Sequence, residues 1–270
     1  MSELDSGGIP FQGRELSDPG FSGDTGASDP RVIEALTRML ATEAAPDVAE
    51  ALRVLRSARI LVPVVATPPG ERARHHGEGA HGDDHVDDGH DHDGHEHAGG
   101  GTEMATVTLT GKDGSKAMPV FTGVEALATW DPQARPSPNH VPDVARSAIE
   151  DGCDTLLVDL GSPHAVALPL SHVWALAQER EWMPPHEDPV VRLAVAEAGQ
   201  GISGLTSARA EDGATHHGAG VVRLVLTLEA GLTQQRVEAI VAAVGERLAA
   251  DPEVRIRIDD LAVVLRPADA

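Results

Sequence analysis

The sequence has no tyrosine, three phenylalanines and three tryptophans, so rings make up only 2% of its 270 residues. A core this poor in rings must be built from valine, leucine, isoleucine and alanine, and apolar residues do reach 41%. Few rings also leave little to stack on bases or sugars, which argues against single-stranded nucleic acid and glycans. Positive charge is scarce as well: 21 Lys and Arg face 43 Asp and Glu, a net charge of -22. Phosphate backbones and anionic lipid surfaces are both held by cations, so neither nucleic acid nor a membrane is expected as a partner. The excess of carboxylates is expected to keep the chain soluble through self-repulsion. Cys153 is the only cysteine. No intrachain disulfide can form, which fits a reducing compartment. No apolar run approaches the ~18 residues of a spanning helix, and residues 1–26 carry no charged-then-apolar leader. These absences lead to the expectation of a cytoplasmic protein.

What is present divides the chain. Residues 1–28 are rich in Gly, Ser and Asp and read as a disordered tail, in which Phe11 and Phe21 are the apolar exceptions. Asp29-Pro30 is a helix start, since Asp caps and Pro suits the first turn. Val32, Ile33, Leu36, Met39 and Leu40 then keep helical spacing. A second helix is predicted from Pro46, and a buried strand over residues 60–65, where Pro63 implies an edge position or a distortion. Residues 67–103 break the pattern with a His/Asp/Gly insert expected to be disordered. A strand over 104–109, a turn at Lys112 to Ser115 and a return arm over 117–122 read as a hairpin. A short helix, a Pro-rich loop over 135–139, a helix around Val144 to Ile149 and strands over 155–160 and 165–168 follow. Ser171 reads as the cap of the next helix, and Asp188-Pro189 starts another.

The expected fold class is mixed α/β, or α+β, with an N-terminal α/β domain over 29–198. Residues 199–219, rich in Gly, Ser, Ala and Asp, read as a linker. Residues 220–267 read as a small βαββ C-terminal domain, with Thr233 capping its helix and strands over 254–258 and 261–265 flanking Asp259-Asp260 as a hairpin.

The strand over 104–109, the turn Asp113-Gly114, the arm Ala117-Met118-Pro119-Val120-Phe121-Thr122 and the helix with Val124, Glu125, Ala126, Leu127 and Trp130 resemble the N-terminal domain of SseB-like proteins, the actinobacterial members in particular. The resemblance extends over residues ~30 to 185, and residues 221–267 are similar to a C-terminal domain of that family. It implies a compact bacterial α/β domain with no established enzymatic chemistry. The insert departs from the family pattern.

That insert is the strongest chemical signal. Eight of the 14 histidines lie between His75 and His97, interleaved with aspartates. The candidate metal ligands are His85, His90, Asp91, His92, Asp93, His95 and His97. Neutral imidazole and carboxylate suit Zn²⁺ or Ni²⁺, although a flexible tract must be ordered as it binds. The spacing is not that of an EF-hand: Gly89 stands where the first Asp belongs and Gly100 where the final Glu belongs.

No catalytic or cofactor-binding set is read from the rest. Asp151 and Asp154 should raise the Cys153 thiol rather than activate it, which disfavours a sulfurtransferase role. Ser162-Pro163-His164 and Ser171-His172 put a hydroxyl near an imidazole, but adjacency in sequence is not triad geometry. Neither a phosphate loop nor a nucleophile elbow is present. Trp130, Trp174 and Trp182 read as packing residues, and His216-His217 as part of the linker. Three functions stand as expectations. The first is a non-enzymatic interaction or regulatory protein, binding a protein partner or itself. The second is a metal-sensing or metal-storing protein acting through the insert, and the third an enzyme of unrecognised chemistry.

Overall fold

The computed structural model describes residues 20–67, 74–75, 103–213 and 220–268. Among these lie eight helices and eleven strands arranged in three sheets, a mixed α/β fold. Helices α1 (Pro30–Thr42) and α2 (Ala45–Arg56) open it. The Asp29 carboxylate accepts the Arg31 N–H at 2.9 Å, satisfying one of the four unpaired N–H groups of the first turn. Strand β1 (Arg59–Thr67) follows, then β2 (Arg74–His75).

The segment expected as one strand over 104–109 is two, β3 (Glu103–Thr106) and β4 (Thr108–Thr110), which join different sheets on either side of the fully buried Val107. β4 and β5 (Lys116–Val120) form the expected hairpin. Helix α3 (Val124–Trp130) comes next. The Pro-rich segment is a strand rather than a loop: β6 (Arg135–His140) pairs antiparallel with β1, Pro136 opposite Pro63 and Pro138 opposite Leu61. Prolines two apart turn their missing N–H to the same side, away from β1, which an edge strand tolerates. Leu61 therefore spends its N–H on the other side, donating to the Phe121 carbonyl at 2.8 Å. Pro63 falls where β1 changes partner on that side, from Phe121 to β3 at Val64.

Helix α4 (Val141–Glu150), strands β7 (Thr155–Val158) and β8 (Val166–Pro169) and helix α5 (Leu170–Ala177) complete the N-terminal unit. The larger sheet has the order β2-β4-β5-β7-β8, with β5 and β7 parallel. One core gathers α1, α2, α4 and α5 with β1, β5, β7 and β8, around Leu36, Leu55, Met118, Leu156 and Leu176.

The C-terminal unit differs from the expected βαββ order. It holds α6 (Pro189–Ala198), β9 (Leu205–Asp212), β10 (Val221–Leu228), α7 (Gln234–Ala250), α8 (Pro252–Arg255) and β11 (Asp260–Pro267). β9 lies in the stretch expected as a linker and pairs antiparallel with β10. β11 pairs parallel with β10, so Asp259-Asp260 is not a hairpin turn. Residues 254–258 form no strand, because Asp251 caps a helical turn there, accepting the Glu253 N–H at 2.9 Å. Val191, Val195 and Ala198 of α6 pack with Val222, Leu224, Leu226, Ile240 and Val244, so α6 belongs to this second core. At the other end, residues 20–28 of the expected tail lie against the N-terminal unit: Asp24 pairs with Arg59 at 2.7 Å, and the Phe21 ring sits 4.9 Å from that of His140. Phe11 lies outside the described residues.

Candidate functional site

Helix α5 begins without a cap of its own, since Pro169 precedes it and offers no side-chain acceptor. The cap comes from the C-terminal unit. Asp259 accepts the Ser171 N–H at 3.1 Å and the Ser171 hydroxyl at 2.8 Å, and the Trp182 indole N–H donates to the same hydroxyl at 3.3 Å. Ser171, expected as the cap, is thus the residue being capped. Asp259 reaches it only because Gly220 has no side chain: a Cβ there would overlap the Asp259 carboxylate. The Asp259 N–H donates to the Gly220 carbonyl at 3.1 Å, holding the two segments together. Burial pushes the Asp259 carboxyl up to about 6, against the lowering effect of its hydrogen bonds from Ser171. The residue as a whole keeps solvent-facing surface, so water screens part of that penalty.

His172, beside it, is 4% exposed, and neither ring nitrogen has a hydrogen-bond partner. Its ring stands edge-on to Trp182 at 5.0 Å. Burial pushes this imidazole down to about 3. It is therefore neutral near pH 7, a weak base, and unattached to Ser171, whose proton goes to Asp259. The three residues Ser171, His172 and Asp259 share a neighbourhood but not the connectivity of a nucleophile and its base.

A groove of about 480 Å³ opens along the same seam, lined by α5, the segment after it, the start of α6 and residues 256–257. Trp174 lines it, with the Arg257 guanidinium 4.4 Å from the ring centroid and Arg180 at 5.7 Å. Arg257 is fixed in turn by Glu253 at 2.6 Å and Asp188 at 3.8 Å. Met183, 45% exposed, and Val190, 39% exposed, add apolar surface to the walls. Two of the three tryptophans expected only to pack therefore border an open groove, whereas Trp130 does pack, 5.3 Å from the Phe121 ring.

A second buried polar group closes the ends of the parallel strands. Asp159, just past β7, is 1% exposed, with φ at +52°. Its two carboxylate oxygens accept the N–H and hydroxyl of Thr122, just past β5, each at 2.7 Å. Burial raises this carboxyl, Thr122 lowering it. Both oxygens are engaged, so the pair acts as a clasp between strand ends.

Cys153 is buried in the N-terminal core. Burial is the main cause that raises its thiol, with Asp151 and Asp154 adding to it and Thr108 opposing. Ser162 and His164 make no side-chain contact with one another: the Ser162 hydroxyl accepts the His164 backbone N–H at 3.1 Å, and the His164 ring meets Thr37 at 3.3 Å. His85, His90, Asp91, His92, Asp93, His95 and His97, like His216 and His217, lie outside the described residues. Among the described residues, no three His, Cys, Asp or Glu side chains gather as metal ligands, and no helix is long and apolar enough to cross a membrane. The sequence reading missed Asp259, Gly220, Asp159 and Arg257. Asp259 sits in an Asp-Asp pair and Gly220 closes a Gly-Ala-Gly run, both with the look of a turn, Asp159 ends an apolar run and Arg257 alternates with isoleucines as in a strand, so only their distant partners distinguish them.

The family model of the SseB protein N-terminal domain matches residues 32–175, more than half of the chain. The chain belongs to the SseB family. The match runs from the first turn of α1 into α5, so the SseB domain supplies Thr122, Asp159, Ser171, His172 and Trp174. Trp182, Asp188, Gly220, Arg257 and Asp259 lie beyond it. One wall of the groove is thus built from the SseB domain and the other from the C-terminal unit. No curated protein matches the chain, and no solved structure does.

Proposed function

We propose that this SseB-family chain is a non-enzymatic binding protein, which takes a protein partner in the groove along its seam. The observation that carries this reading is the groove's make-up. A Trp174 ring with two arginines over it and open walls at Met183 and Val190 are the aromatic, arginine and methionine surface that anchors protein contacts. The reactive side chains nearby are engaged otherwise: the Ser171 hydroxyl donates to Asp259, the His172 ring is sealed from solvent and Cys153 fills the core. With a net charge of -22, the partner is expected to present basic or apolar surface rather than phosphate.

The test is crosslinked affinity purification of the full chain at native abundance beside Met183→Glu/Val190→Glu. Both positions are open to solvent, so thermal stability should be unchanged while the captured partner is lost. A partner recovered equally with both chains sinks the groove. Substrate turnover abolished by Ser171→Ala moves the reading to an enzyme.

A second reading rests on the insert's composition: Zn²⁺ or Ni²⁺ held by the histidines and aspartates between residues 75 and 97. Calorimetry with each ion at neutral pH should show binding that disappears when residues 75–97 are deleted and weakens as pH falls through about 6.5. Equal binding by the deleted chain removes this reading.

A further inference from the structure

The edges of the three sheets are guarded unequally. On the C-terminal sheet, of order β11-β10-β9, one edge strand is β9, with Arg209 and Glu211 in its interior and a register irregularity opposite Thr227 and Leu228. Charges and bulges are devices that keep an edge from pairing with another chain. β6 carries Pro136 and Pro138, while β3 and β8 are four residues long. The other C-terminal edge, β11, carries its charges and its proline only at the ends, at Asp260, Arg266 and Pro267. It is eight residues long, regular in register throughout and apolar from Leu261 to Leu265. Val263 and Leu265 are 44% and 46% exposed. Among the described residues, its outer edge pairs with nothing.

The order of residues on this edge is self-complementary. Turned antiparallel about Val263, the strand brings Asp260 opposite Arg266, Leu261 opposite Leu265, Ala262 opposite Val264, and Val263 opposite itself. Each charged end meets the opposite charge, and each apolar residue meets another. Arg266 is half exposed and already grips Glu211 at 2.9 Å, and its guanidinium fork has donors for a second carboxylate. We infer that the protein forms a two-fold dimer through β11, joining the two C-terminal sheets into one six-stranded sheet. The occupant of the edge is a second copy because the pattern pairs with itself, as an isologous contact requires. This inference does not depend on the groove, and each can fail alone.

Sedimentation of the full chain over a concentration series, in about 0.15 M salt to screen the net charge, should show a monomer–dimer equilibrium. Val263→Lys puts two like charges on the two-fold axis and should leave only monomer, with the melting temperature of wild-type chain diluted below its dimer dissociation constant. Asp260→Arg should weaken the dimer about tenfold, since two symmetry-related pairs are lost. Asp260→Arg/Arg266→Asp should recover most of the loss, which a merely structural role for either residue would not produce. Independently, Val263→Cys should give a disulfide-linked dimer on mild oxidation, whereas Thr206→Cys on the opposite edge should not. Wild-type chain that stays monomeric at every concentration overturns the inference. So does a dimer indifferent to Val263→Lys, a double exchange no tighter than the single, or equal crosslinking from both cysteine variants.

Discussion

His172 and Asp259 stand near one another at the seam, and burial moves them in opposite directions on the pH scale. Folding lowers the imidazole from 6.5 to about 3. Below pH 6.5 the unfolded chain takes up a proton that the native chain refuses. The stability this residue contributes is thus present above 6.5 and lost as pH falls through about 3. Asp259 is raised from 3.8 to about 6. Its contribution is present below 3.8 and lost as pH rises through about 6, the reverse slope. The imidazole is sealed from water while Asp259 keeps exposed surface, so His172 sets the acid limb. His172→Leu, close in volume, removes two buried nitrogens without partners. It should gain about 1–2 kcal/mol at neutral pH and shift acid unfolding to lower pH, as read by circular dichroism from pH 7 to 3. An unmoved acid midpoint would show that the ring is hydrated in the folded chain.

At the scale of elements, the important joint is a cap supplied from afar. Helix α5 has eight residues, and the acceptor for its first turn comes from Asp259, just before β11. Gly220→Ala puts a methyl group where that carboxylate lies. The expected result is loss of the Ser171–Asp259 bonds at a cost of about 1–3 kcal/mol. Hydrogen exchange should then become faster by roughly tenfold at the Ser171 amide, while amides of β5 and β7 stay protected. Uniform loss of protection would instead mean that the substitution unfolds the whole chain.

For the whole molecule, the question is where the chain can be divided. The composition shift at residues 199–219 suggests a cut there, but Val191 and Val195 of α6 are fully buried in the C-terminal core and β9 is part of its sheet. Losing the burial of those two valines alone removes roughly 3–6 kcal/mol, comparable with the entire stability of a domain this small. A fragment of residues 186–270 should therefore unfold cooperatively on heating, whereas one of residues 220–270 should lack a cooperative transition, both followed by circular dichroism and calorimetry. A cooperative 220–270 fragment would return the boundary to the Gly- and Ser-rich stretch.

Several features were readable along the chain: the helix starts at Asp29-Pro30, Asp188-Pro189 and Thr233, the apolar strands expected over 155–160 (it ends at Val158) and 221–228, the hairpin around Asp113-Gly114 and the family. Each is a local pattern, a capping residue or a periodicity that one segment satisfies by itself. β9 was hidden because, past Leu205, the residues it turns to the core are Ala208 and Ala210, too small to stand out against Arg209 and Glu211. The parallel place of β11 was hidden because a helical turn and a hairpin both suit Asp and Pro. Ser171 and Asp259 lie 88 positions apart, and nothing near either residue announces the other. The amino-acid order alone thus determined the capped helices and the strongly apolar strands, because those depend on neighbours a few residues away. The tertiary structure decided strand partners, the shared cap and the groove, because these depend on groups that only folding brings within hydrogen-bonding distance.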